Sequence, residues 1–250
     1  MKRLFLFILI PFFIACNNDE PDYTATNYYV SIATVENPNI ETTFFMTIDD
    51  SSRLYVSETN FLNYRPTDKQ RIIANYQILP NTADSTNYDY NVKLRDVYEV
   101  LTKEIFEISA ETEDSIGNDY ISIESIWVGS HYLNVEFVYP GTDKMHFINL
   151  VSDSTKTYDD NKTHLEFRHN SNGDYPGNNQ WGLASFNLKS LETSISDTLE
   201  LVIHTKEFKT ASSDSIYTFN YIYSTQSITN TAENVKKQNI QIRNKKAVIQ

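Results

Sequence analysis

The sequence predicts an all-β protein, a small closed barrel followed by a β-sandwich. Apolar residues alternate with a period of two from Tyr28 onward, long helical periodicity is nearly absent, and turn residues punctuate the apolar runs at short intervals. The composition agrees. With 17 Tyr and 14 Phe against 6 Gly and 7 Pro in 250 residues, the chain suits pleated, half-buried surfaces and excludes collagen-like or low-complexity classes.

The first strand is read at Tyr28, Val30 and Ile32, the second at Phe44, Met46 and Ile48. Asp49-Asp50-Ser51-Ser52 then turns the chain into Leu54 and Val56, because Asp and Ser side chains satisfy nearby backbone donors. Residues 60–70, with Pro66, read as a connection. Ile72, Ala74, Tyr76 and Ile78 alternate against Arg71, Asn75 and Gln77. Tyr88, Tyr90, Val92 and Leu94 alternate until Asp96-Val97, where the apolar phase slips by one. Such a slip marks a bulge, and bulges bend strands around small barrels. The barrel is therefore placed at residues 28–110, a Thr-, Asp-, Ser- and Gly-containing linker at 111–119, and the second unit at 120–224. Ile121, Ile123 and Trp127 open that unit. Leu133, Val135, Phe137 and Tyr139 make its clearest strand, stopped by Pro140-Gly141. Further strands are expected at residues 145–151, 164–169, 181–188, 199–208 and 216–223, the spacing of a sandwich. Residues 225–250 form a polar tail, basic through Lys236, Lys237, Arg243, Lys245 and Lys246; the alternation Ile240-Gln241-Ile242 offers an edge strand as the alternative.

Ahead of these strands, Lys2 and Arg3 precede an unbroken apolar run over residues 4–14. Eleven residues span roughly 16 Å as a helix, about half a bilayer's apolar core, which marks a signal peptide and not a membrane span. The run ends Phe13-Ile14-Ala15-Cys16, which resembles a bacterial lipobox with Phe13 where leucine is commoner. Residues 1–15 are thus expected to be removed and Cys16, the single cysteine, to carry lipid. Three acyl chains at about 0.8 kcal/mol per buried CH₂ would hold the protein on a membrane essentially permanently. Residues 16–27 are polar and read as a tether. Asn17 after the cysteine favours outer-membrane delivery. Asp19-Glu20 loosely resembles a surface-export signal, so periplasmic and surface-facing orientations both stay open.

The chain carries a net charge of −12, so a nucleic-acid partner is not expected. No nucleophile elbow, HExxH helix, phosphate-binding loop or dinucleotide fingerprint is present in the sequence, and no catalytic residue, metal ion or cofactor is expected. Glu111, Glu113, Asp114 and Asp119 lack the spacing of a calcium loop. His164 and His169 are five apart, on opposite strand faces, while His131, His146 and His204 stand alone on separate segments. All five are read as ordinary surface or half-buried side chains. Around the second and third strands lie Phe45, Arg53, Tyr55 and Arg65, a set that suits a glycan or a partner protein unless the rings fill the interface between domains. Asp-Ser/Thr triplets place Ser85, Ser115, Ser154, Thr198 and Ser215 in a pattern resembling the O-glycosylation sequon of exported Bacteroidota proteins; good turn chemistry explains the same pattern.

Several runs together resemble one family. Residues 29–37 (YVSIATVEN), 71–76 (RIIANY), 101–103 (LTK), 114–119 (DSIGND), 133–135 (LNV), 146–150 (HFINL) and 165–170 (LEFRHN) look like NigD-like lipoproteins of Bacteroidota. The resemblance covers about residues 28–223 and implies an OB-type barrel followed by a β-sandwich. It also implies a lipoprotein in which an immunity role toward a bacteriocin was suggested, with no catalytic residues to carry over. The expectation is a membrane-anchored, non-enzymatic protein that acts by binding in the cell envelope, in a bacteriocin-immunity-type or partner-binding role toward an envelope protein or glycan, with accessory glycan or ligand binding for nutrient uptake as the alternative.

Overall fold

A computed structural model describes residues 28–36, 43–60, 64–80, 87–109, 111–112, 116–208 and 215–223. Cys16, Ser85, Ser115, the leader, the tether and the basic tail lie outside the described residues. Five strands close a barrel: β1 (Tyr28–Glu36), β2 (Phe44–Ile48), β3 (Arg53–Thr59), β4 (Arg71–Leu79) and β5 (Tyr90–Glu99). Their order is β1-β2-β3-β5-β4, with β4 returning to β1 and a parallel β3–β5 pair, the order of an OB-fold. The period-two pattern becomes an inside and an outside here. Phe44, Met46, Ile48, Leu54, Val56, Ile72, Ala74, Val92 and Leu94 fill the interior. The expected bulge is present. Asn75 pairs with Asp96 and Tyr76 with Leu94, so Arg95 is the additional residue that turns β5 around the barrel.

The second domain is two packed sheets. One has the order β14-β13-β11-β10-β7 and the other β6-β12-β9-β8. The strands are β6 (Leu101–Glu104), β7 (Phe106–Ile108), β8 (Ser122–Gly129), β9 (Tyr132–Gly141), β10 (Phe147–Asp153), β11 (Thr163–Asn170), β12 (Asn178–Asn187), β13 (Thr198–Thr205) and β14 (Ser215–Ile222). Leu133, Val135, Phe137, Leu150, Leu165, Phe167, Phe186, Leu201, Ile203 and Tyr221 fill the space between the sheets.

Three expectations are corrected. The barrel ends at Val100, not at residue 110, because β6 and β7 pair in parallel with β12 and β10 and so belong to the sandwich. These strands are four and three residues long and half exposed, too short to show a period, and parallel pairing leaves no hairpin turn to read. Residues 111–119 accordingly do not separate the domains: Asp119 N–H donates to the His169 carbonyl inside the sandwich. Pro140-Gly141 also fails to stop its strand. β9 runs through both residues paired with β12, while its pairing with β8 reaches only Val138, so a missing N–H is tolerated on that edge.

The barrel sits on the outer face of the four-stranded sheet. Ile32, Ile73 and Val100 meet Leu183, with Val30, Trp127 and Trp181 packed around them. Beside this apolar patch the fully buried Arg71 reaches out of the barrel. Its guanidinium donates to both Asp49 oxygens (2.7 and 3.1 Å), to Asn134 Oδ1 (2.9 Å) and to Thr34 Oγ1 (3.1 Å), and lies 4.4 Å from the centre of the Tyr132 ring. Gly129 leaves room for the β2–β3 turn: a Cβ there would stand 2.5 Å from Asp49 Cγ.

Candidate functional site

Because inward and outward residues alternate, burying Phe44, Met46, Leu54 and Val56 obliges Phe45, Thr47, Arg53 and Tyr55 to face outward. Phe45 and Tyr55 are direct cross-strand partners, with ring centres 5.1 Å apart. Tyr88, just ahead of β5, adds a third ring 5.3 Å from Tyr55 and 6.4 Å from Phe45. The Arg53 guanidinium covers Phe45 at 4.2 Å. It is held there by Glu36 (Nε to Oε2, 2.9 Å) and by the Asn87 carbonyl (2.7 Å), while Asp89 accepts from the Arg53 backbone N–H. Glu36 in turn accepts from Thr47 Oγ1. The three rings therefore form one continuous, half-buried platform with a fixed arginine at one end and carboxylates at its rim.

Chemically, such a surface stacks on apolar faces and offers polar groups at its edge. Arg53 already has a carboxylate partner, so the platform adds little attraction for a phosphate backbone. Arg65 does not join it; its guanidinium donates to the Tyr64 carbonyl, and the Tyr64 ring packs 6.4 Å from Phe44 of the barrel core. The sequence marks Tyr88 only as a strand residue, and its place beside Tyr55 comes from register, which alternation does not reveal. The rings that do fill the interface between domains are Trp127, Trp181 and Tyr132.

The histidines are less isolated than their spacing suggests. His146 and His169 meet at 2.8 Å and His164 and His204 at 2.9 Å, while His131 lies 2.7 Å from Glu192 and 3.0 Å from the Tyr221 hydroxyl. His146 and His169 are also buried, which corrects the surface reading. Their neighbours come from other strands and loops, so one-dimensional spacing carried no signal. His164 and His169 do occupy opposite faces, each in its own pair. Among the described residues no group of three or more His, Cys, Asp or Glu side chains is arranged to hold a metal ion.

Of the hydroxyl residues singled out, Ser154 and Thr198 are exposed and Ser215, the first residue of β14, is half-buried. At Asp153 the turn chemistry is visible. Its carboxylate accepts from Thr155 N–H (3.0 Å) and Oγ1 (2.7 Å), and these bonds hold it below the usual carboxylate range. Ser154 Oγ donates to the Ile108 carbonyl at 3.2 Å. No helix among the described residues is long and apolar enough to cross a membrane.

Comparisons with known proteins agree with this architecture. A family model described as the NigD-like N-terminal OB domain matches residues 32–100, and one described as the NigD-like C-terminal beta sandwich domain matches residues 104–221. Among solved structures, a protein of unknown function from Bacteroides vulgatus is 26% identical, with a TM-score of 0.68 over 80% of this chain and 93% of its own. A protein from Parabacteroides distasonis described as toxin-related is 29% identical, with a TM-score of 0.65 over 78% and 94%. A NigD-like immunity protein from Bacteroides caccae shares the fold at 15% identity, with a TM-score of 0.60 over 81% and 99%. No curated protein shows significant similarity to the chain.

Proposed function

The chain belongs to the NigD-like family, and we propose that it acts by non-covalent binding in the cell envelope, tethered to a membrane through lipid on Cys16. The observation that carries this reading is the Phe45–Tyr55–Tyr88 platform with Arg53 fixed over one end. Ordered rings on a rigid barrel bind without rearrangement, since strand-borne side chains lose little freedom on contact. A protein partner, in the manner of an immunity protein engaging a toxin, is the first reading. The second is a glycan, favoured by the contiguity of the three rings, because sugar rings stack on aromatic faces. Neither reading assigns a catalytic residue.

The test is crosslinking and pull-down from the native envelope with the lipidated chain and with Tyr55→Ala/Tyr88→Ala. Loss of a captured protein supports the first reading and loss of retained polysaccharide the second. Unchanged capture by the double variant would remove the platform from the mechanism. Anchoring is tested separately: Cys16→Ser should leave the detergent phase, and quantitative retention there would refute lipidation.

A further inference from the structure

At the end of the sandwich formed by the β9–β10 and β11–β12 connections, four groups form a buried chain. His169 Nδ1 lies 3.0 Å from the Tyr120 carbonyl oxygen, which can only accept, so this nitrogen bears a hydrogen. At the other end His146 Nε2 lies 3.2 Å from Asp174 Oδ2. The Asp174 carboxylate already accepts from Thr142 N–H (2.6 Å), Thr142 Oγ1 and Tyr175 N–H (2.9 Å), the environment of an ionised acid. His146 Nε2 therefore bears a hydrogen too. The two remaining nitrogens, His146 Nδ1 and His169 Nε2, face each other at 2.8 Å, and one hydrogen must lie between them. That makes three N–H groups on two rings, where two neutral imidazoles supply only two.

We infer that the His146–His169 pair binds one additional proton in the folded protein at neutral pH, and that this proton joins three chain segments into a clamp. The segments are the one entering β8 (Asp119, Tyr120), the β9–β10 loop (Thr142 to His146) and the β11–β12 turn (Asp174). The carboxylate of Asp174 stands at the His146 end of the pair. Burial and the neighbouring ring push His169 toward its neutral form, whereas His146 contacts the Asp174 carboxylate and packs at a tilt 4.5 Å from the Tyr139 ring centre. The hydrogen bonds from Thr142 hold Asp174 well below the usual carboxylate range, so it remains the counter-ion. The side chains of His146 and Asp174 are 2% and 1% exposed, so water does not substitute for either partner.

The surrounding charges have partners of their own. Asp119 is engaged by Ser171, and Lys206 donates to the Asn118 carbonyl while covering the Tyr120 ring. Lys144 caps the Asn172 and Gly173 carbonyls, and Asp143 faces the Thr142 hydroxyl. Unfolded histidines are mostly neutral above about pH 6.5, so the folded state binds the larger number of protons there, and stability falls as pH rises.

Long-range proton–nitrogen spectra of the ¹⁵N-histidine-labelled mature chain test this directly. At pH 7.5 one ring should show both nitrogens protonated and its partner a single N–H. Asp174→Asn removes the counter-charge beside His146 Nε2 and should return the pair to two neutral rings. The ratio of folded to unfolded wild-type protein should then fall relative to the variant by up to about tenfold per pH unit above neutrality, until the pair releases its proton. Two neutral rings in the wild type at pH 7.5 would overturn the inference, and so would identical pH slopes for the two proteins. If Asp174→Asn does not fold, the wild-type spectrum decides alone.

Discussion

Asp49→Ala tests what holds the barrel to the sandwich. The substitution removes two charge-assisted hydrogen bonds from Arg71, whose side chain has no exposure, while Asp49 is 17% exposed. Removing one member of a buried pair typically costs about 3–5 kcal/mol, because the charge left behind is neither solvated nor paired. Asn134 Oδ1 and Thr34 Oγ1 still accept from the guanidinium, which places the expected cost near the lower end, about 3 kcal/mol. Arg71→Met/Asp49→Ala removes both charges and should recover a large part of that loss, giving a double-mutant cycle with strong coupling. The assay is urea unfolding followed by tryptophan fluorescence, since Trp127 and Trp181 both pack in the patch between the domains. A cost below about 1 kcal/mol for Asp49→Ala would refute the argument, as would a double variant less stable than the sum of the single ones.

Gly129→Ala should act on the same contact from the opposite side. Its Cβ would meet Asp49 at 2.5 Å and displace the carboxylate from Arg71, costing about 1–3 kcal/mol in urea unfolding, and adding Asp49→Ala should then cost less than it does alone. Tyr64→Phe should stabilise by about 1 kcal/mol, because the buried Tyr64 hydroxyl has no hydrogen-bond partner among the described residues. Burial, with Glu99 adding to it, pushes this phenol up to about 12. Its raised folded-state value means that stability present below about pH 10 is lost as the pH rises toward 12, and Tyr64→Phe should remove that component from alkaline unfolding curves.

The barrel was legible because every strand in it buries one face, so Leu54, Val56, Ile72 and Ala74 announce themselves by parity alone. The bulge was legible for the same reason: an additional residue at Arg95 changes the parity of the remaining strand. Partnership was not. Tyr88 joins Phe45 and Tyr55, and His146 meets His169, through strand order and loop placement that no local pattern encodes. β6 and β7 went unread because three or four half-exposed residues carry no measurable period.

The face joining the domains was hidden for a different reason. The four-stranded sheet is covered on both sides, and strands in that position usually read as continuous apolar runs. Here β9 reads Leu133-Asn134-Val135-Glu136-Phe137, the alternation of a sheet with one wet face. Asn134 points to the barrel and bonds Arg71, Asp49 and Ser185, while Glu136 accepts from the Trp181 indole. Along β9 the second buried face is thus built from polar groups with partners of their own, so this strand carries the sequence signature of surface. Such a face fixes orientation more than it contributes stability. An apolar patch tolerates sliding, but the fork of Arg71 fits Asp49 and Asn134 in one alignment, and Gly129 leaves the Asp49 carboxylate room to reach it. The geometry that holds the aromatic platform at a set angle to the sandwich therefore rests on a few directional bonds, and substitutions there should misorient the platform before they unfold either domain.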